Sequence, residues 1–105
     1  MKEISVQELK ARMDAGTSPR VVDVREEFEL ENGTITEVHI PLGQIAVRTD
    51  EFGAKDEEIV VTCRSGGRSG QAVMYLQSQG YTNVINLTGG MLAWAREIDP
   101  SFNEY

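Results

Sequence analysis

Ile59-Val60-Val61-Thr62 is a β-branched run with no polar alternation, and it passes directly into Cys63-Arg64-Ser65-Gly66-Gly67-Arg68-Ser69. A strand without alternation has both sheet faces covered, which calls for a parallel sheet sandwiched between helices. The rest of the chain fits that plan. Val21-Val22-Asp23-Val24 after Pro19, Val38-His39-Ile40 before Pro41, and Val84-Ile85-Asn86-Leu87 read as further short strands. Ser5-Val6-Gln7-Glu8 is a capping box that opens a helix through Val6, Leu9, Ala11 and Met13, with Gly16 as its stop. Glu26 to Glu31 predicts a short acidic helix ended near Asn32-Gly33, and Gly43 to Arg48 a helical turn. Gln71 to Gln79 is a helix closed by Gly80, and Gly89-Gly90 leads into another through Leu92, Trp94 and Ile98. This alternation predicts one three-layer α/β domain over residues 1–105, with a mainly parallel sheet and right-handed crossovers. The tail Pro100 to Tyr105 is expected to be loose.

Charge narrows the partners. With 17 acidic residues against 10 basic ones, the net charge of -7 opposes binding to nucleic acid or an anionic membrane. Any anion site must be built locally against that mean field. No apolar run approaches the roughly 20 residues that span a bilayer. Met1 to Val6 lacks the apolar stretch of a secretion signal, so a cytoplasmic location is expected. A single cysteine excludes an internal disulfide and a multi-cysteine metal cluster, and no metal or cofactor is implied.

That cysteine carries the chemistry. Cys63 falls at the carboxyl end of the strongest strand, where open α/β sheets place their ligand sites. Gly66 and Gly67 let the loop turn its N–H groups inward as an anion nest, and the following helix adds its own free N–H groups. Arg64 and Arg68 contribute positive charge. Together these lower the pKa of a thiol and shelter an anion attached to its sulfur. A lone cysteine or a Gly-Gly pair alone is ordinarily structural; their conjunction with two arginines at a strand-to-helix junction is not.

Cys63 to Ser69 resembles the active-site loop of the rhodanese, or thiosulfate sulfurtransferase, family. Val21-Val22-Asp23-Val24-Arg25-Glu26 is similar to that family's D-x-R strand end, and Leu87-Thr88-Gly89-Gly90-Met91-Leu92-Ala93-Trp94 to its G-G-x-x-A-W segment. The resemblance implies a rhodanese-like sheet of about five strands. It also implies a sulfurtransferase in which Cys63 takes sulfane sulfur from thiosulfate or a persulfide donor and passes it, as a persulfide, to cyanide, a thiol or a protein thiol. Loop groups Arg64, Ser65, Gly66, Gly67, Arg68 and Ser69 would bind the anion, with Asp23 and Arg25 as support. Gly33-Thr34-Ile35-Thr36-Glu37-Val38 departs from the family's G-H-I-P-G-A segment: it is one residue shorter, with Thr34 where histidine is common and Glu37 where glycine is.

Other residues have plainer readings. Asp23 and Arg25 suit a buried ion pair, and Ser65 and Ser69 suit loop bonding or capping. His39, the only histidine, sits on a strand rather than beside the loop. Trp94 and Leu92 belong to the core, and Asp56-Glu57-Glu58 to a solvated turn. Two alternatives stand beside sulfur transfer. One is a non-catalytic docking module of the same fold. The other is a cysteine-dependent phosphatase or arsenate reductase, whose loop places arginine one residue further along, where this chain has Ser69.

Overall fold

The computed structural model describes all residues 1–105. Four parallel strands, β1 (Glu3–Ile4), β2 (Arg20–Asp23), β3 (Ile59–Thr62) and β4 (Val84–Leu87), form one sheet in the order β1-β4-β3-β2. Three helices cover it: α1 (Val6–Asp14), α2 (Gly67–Ser78) and α3 (Gly90–Glu97). Val21 pairs with Val60 and Val22 with Val61, while Val60 pairs with Ile85. Successive residues of a strand point to opposite faces. Val22, Ile59, Val61 and Val84 therefore pack with Ala72, Val73 and Leu76 of α2 on one face. Val21, Val60 and Ile85 pack with Leu9 of α1 and Met91 and Trp94 of α3 on the other. The predicted three layers are present, and the unbroken apolar β3 is buried throughout. No helix is long and apolar enough to cross a membrane.

Local signals act as their chemistry dictates. Ser5 Oγ accepts from the Glu8 amide at 3.1 Å while the Ser5 amide donates to Glu8 Oε1, so the capping box is closed. The acidic segment forms a 3-10 helix at Glu27–Asn32 that stops at Gly33, whose φ of 115° no β-branched residue would adopt readily. The predicted turn after Pro41 is a second 3-10 helix, Leu42–Val47.

Four expectations need correction. The sheet has four strands, not about five. Val38-His39-Ile40 contributes only one bridge, Asp23 to His39. Thr36 Oγ1 captures the Val38 amide before it, and a 3-10 helix begins at Leu42 just after it. Conversely, β1 is two residues long, too short for any periodicity to reveal. The tail is not loose: the Asn103 amide donates to the Asn32 carbonyl, Phe102 lies against Gly33, and Tyr105 is bonded to Arg25 and Glu29. Helix α2 also begins at Gly67 rather than Gln71, because Gly66, at φ 109°, completes the whole turn by itself.

Candidate active site

Cys63 follows the last residue of β3, and its side chain is 1% exposed beneath the loop that leads into α2. Burial alone would make it inert. However, the Gly66 amide donates to Cys63 Sγ at 3.1 Å, and Ser69 Oγ lies 3.3 Å from the same sulfur. Burial pushes the thiol pKa up; the Ser69 hydroxyl and the amides of Ser69, Gly66 and Ser65 outweigh it, so the net shift is downward. The sulfur thus sits in a cradle of donors aimed at it, at the mouth of a twelve-residue helix whose first amides are free.

A loop can aim its N–H groups inward only if its carbonyls are turned outward and satisfied there. Helix α3 and β4 do this. The Met91 amide donates to the Cys63 carbonyl and the Leu92 amide to the Arg64 carbonyl, both at 2.9 Å. Asn86, on β4, donates through Nδ2 to the Gly66 carbonyl at 3.1 Å and accepts from Ser69 Oγ at 2.6 Å. The approach of α3 is close enough to require glycine: a Cβ on Gly90 would stand 2.5 Å from the Cys63 carbonyl oxygen. The Gly89-Gly90 segment is therefore the outer clamp of the cysteine loop.

The two arginines are held by partners that sequence reasoning did not identify. Arg68 makes a bidentate pair with Glu29, at 2.9 and 3.0 Å. The Arg64 Nε donates to a main-chain oxygen of Tyr105, and its guanidinium lies 5.4 Å from the Tyr105 ring centroid. The Tyr105 hydroxyl donates to Glu29 Oε2 at 3.1 Å and accepts from Arg25 Nη1 at 3.0 Å. Asp23 and Arg25 form the fully buried ion pair of the plainer reading, with Arg25 Nη2 to Asp23 Oδ2 at 2.7 Å. Neither bonds to Cys63; Arg25 instead anchors the Gly33 carbonyl and the Tyr105 hydroxyl. His39 Nε2 donates to the Arg25 carbonyl at 2.6 Å, and Cys63 is not among its partners.

The size of the seat limits the chemistry. The two surface clefts, about 410 and 440 Å³, are lined at one place by residues such as Lys2, Arg12 and Glu58, and at the other by Glu26, His39 and Arg48. Neither includes Cys63 or its loop. What surrounds the sulfur is a donor ring closed within the turn Cys63 to Gly66 and the first turn of α2. No three His, Cys, Asp or Glu side chains converge to hold a metal ion.

Known proteins share this arrangement of sequence and fold. The rhodanese-like domain profile matches residues 5–97. A sulfurtransferase of Allochromatium vinosum is 40% identical over 97 residues, covering 91% of this chain and 90% of that one. The structure of a rhodanese-like domain protein from Staphylococcus aureus superimposes with a TM-score of 0.82 at 35% identity, covering 90% and 91% of the two chains. A human single-domain sulfurtransferase superimposes with a TM-score of 0.75 at 27% identity, covering 92% and 97%. Glycine-clamped loop, parallel sheet and matched profile agree, and the chain belongs to the rhodanese-like domain family.

Proposed function

We propose that this protein is a sulfurtransferase that carries sulfane sulfur as a persulfide on Cys63, taking it from thiosulfate or an organic persulfide. The observation that carries the reading is the donor ring around Cys63 Sγ, which favours a thiolate and then a terminal sulfur anion at the same place. With thiosulfate, the thiolate forms a bond to the outer sulfur, the donor's S–S bond breaks, and sulfite leaves with the electron pair. An external nucleophile, such as cyanide, a thiol or a protein thiol, then attacks the outer sulfur of the persulfide and restores the thiolate. The chain has no second cysteine to do this internally, so ping-pong kinetics are expected. A reactive free thiol of this kind suits a reducing compartment such as the cytoplasm.

Relatives named as sulfurtransferases support the same reading. The phosphatase alternative fits less well, because Ser69, not arginine, occupies the later loop position and its hydroxyl faces the sulfur. The docking alternative would leave the donor ring without a purpose.

Intact mass spectrometry tests the proposal. After incubation with thiosulfate or an organic persulfide, the protein gains one sulfur atom, which cyanide removes; the Cys63→Ser variant gains none. A mass unchanged with both donors, or turnover of an aryl phosphate that depends on Cys63, would overturn it.

A further inference from the structure

Glu29 is buried, its side chain 10% exposed, and it faces the cysteine loop rather than solvent. Both of its carboxylate oxygens are taken by Arg68, and Oε2 also accepts from the Tyr105 hydroxyl. Tyr105 is in turn fixed by Arg25, which is itself locked to Asp23. The carboxylate therefore cannot swing away from Arg68 to let a substrate replace it without breaking a braced network. An arginine so paired presents almost no net charge to an incoming anion. The other loop arginine, Arg64, bonds a main-chain oxygen of Tyr105 and lies against its ring.

We infer that Glu29 is a specificity-determining residue that cancels Arg68 and so biases Cys63 toward sulfur donors of low charge, organic persulfides, over the dianion thiosulfate. This rests on the sulfur-transfer reading above and deepens it. In the favoured step, the thiolate of Cys63 forms a bond to the outer sulfur of R–S–SH. The donor's S–S bond breaks and R–S⁻ leaves with the electron pair, taking up the proton that the outer sulfur gives up. The products are the Cys63 persulfide anion and R–SH. The donor reacts as the neutral R–S–SH, so no further negative charge approaches, and the amide ring suffices to hold the one that Cys63 carries. Thiosulfate brings two, into a chain whose net charge is already -7, with the charge of Arg68 neutralised. The chain of contacts also explains why Asp23, Arg25 and Tyr105 crowd this place without touching the sulfur: they hold Glu29 at its post.

Loading rates of Cys63 decide the matter, measured by rapid quench and intact mass with thiosulfate and with 2-hydroxyethyl persulfide generated in place. Glu29→Gln keeps the shape and frees the charge of Arg68. It should speed loading from thiosulfate about tenfold while the persulfide rate stays within about twofold, and salt at about 0.5 M should erase most of the gain. The double variant Glu29→Gln/Arg68→Gln removes the pair without leaving a buried charge. Its thiosulfate rate should match that of the wild type within about twofold, because a cancelled pair contributes little to the field. An unchanged donor ratio in Glu29→Gln would overturn the inference, as would a double variant far slower with thiosulfate than wild type. Wild-type protein that loads from neither donor would instead overturn sulfur transfer itself.

Discussion

Asn86 holds Gly66 from behind: its Nδ2 donates 3.1 Å to the Gly66 carbonyl while the Gly66 amide points 3.1 Å to the sulfur of Cys63. The residue whose amide serves the thiolate is thus held by a strand residue 20 positions away. Asn86→Asp preserves shape and the bond from Ser69, but removes the donor to Gly66 and adds negative charge near the sulfur. The titration midpoint of Cys63, read from iodoacetamide alkylation against pH, should move upward. Loading from thiosulfate at neutral pH should fall by about tenfold or more.

Gly90 combines a φ of 58° with contact to the Cys63 and Arg64 backbone. Gly90→Ala forces the added methyl into the carbonyl of the reactive residue. Urea unfolding should show a loss of about 2–4 kcal/mol from backbone strain and overpacking combined. A variant as stable as wild type would mean that α3 is not pressed on the loop.

The Cys63 thiol titrates below its ordinary value despite burial, through the Ser69 hydroxyl and the amides of Ser69, Gly66 and Ser65. Alkylation should therefore have its midpoint below the roughly 8.5 of an unperturbed thiol, and Ser69→Ala should raise it. Stability follows with a definite sign. Between the folded midpoint and about 8.5, the native state binds fewer protons than the unfolded chain, so this contribution grows as pH rises. It is fully present above about 8.5 and lost as pH falls through the folded midpoint. The stability difference between wild type and Cys63→Ala, from urea curves at several pH values, should show that rise.

Asp23 and Arg25 are both completely buried as an ion pair. Asp23→Ala strands the guanidinium in the interior and should cost about 3–5 kcal/mol, with Arg25→Ala similar. A double replacement by leucine and methionine should be less damaging than either single change, since neither charge is left alone. Thermal melts of the three variants check the order.

The cysteine loop was legible because everything that defines it is contiguous: an apolar strand, a cysteine, glycines and a helix start. Likewise the Ser5 capping box and the stop at Gly33 are local chemistry, and both form as written. The partners of the loop were not legible. Glu29 meets Arg68 across 39 residues, and Tyr105 meets Glu29 across 76, in a tail whose composition suggested no fixed place. Periodicity says which face a residue takes, but not which distant side chain waits there. Asn86 did leave a trace, as an amide inside the apolar strand Val84-Ile85-Asn86-Leu87, where a buried polar group needs partners. Val38 to Ile40 misled for a physical reason too: β-branched residues favour extension, but Thr36 Oγ1 takes the Val38 amide and a 3-10 helix begins at Leu42, which leaves a single bridge to Asp23.

The outer clamp has a consequence for how the protein is made. Asn86, Gly90, Met91 and Leu92, which turn the loop carbonyls outward, all follow Cys63 in the chain. During synthesis the donors Ser65, Gly66 and Ser69 follow the sulfur at once, but the residues that hold their loop in place emerge only with the final strand and helix. A chain cut before Val84 is therefore expected to carry a thiol that titrates closer to an ordinary one, its activation being a property of the completed fold.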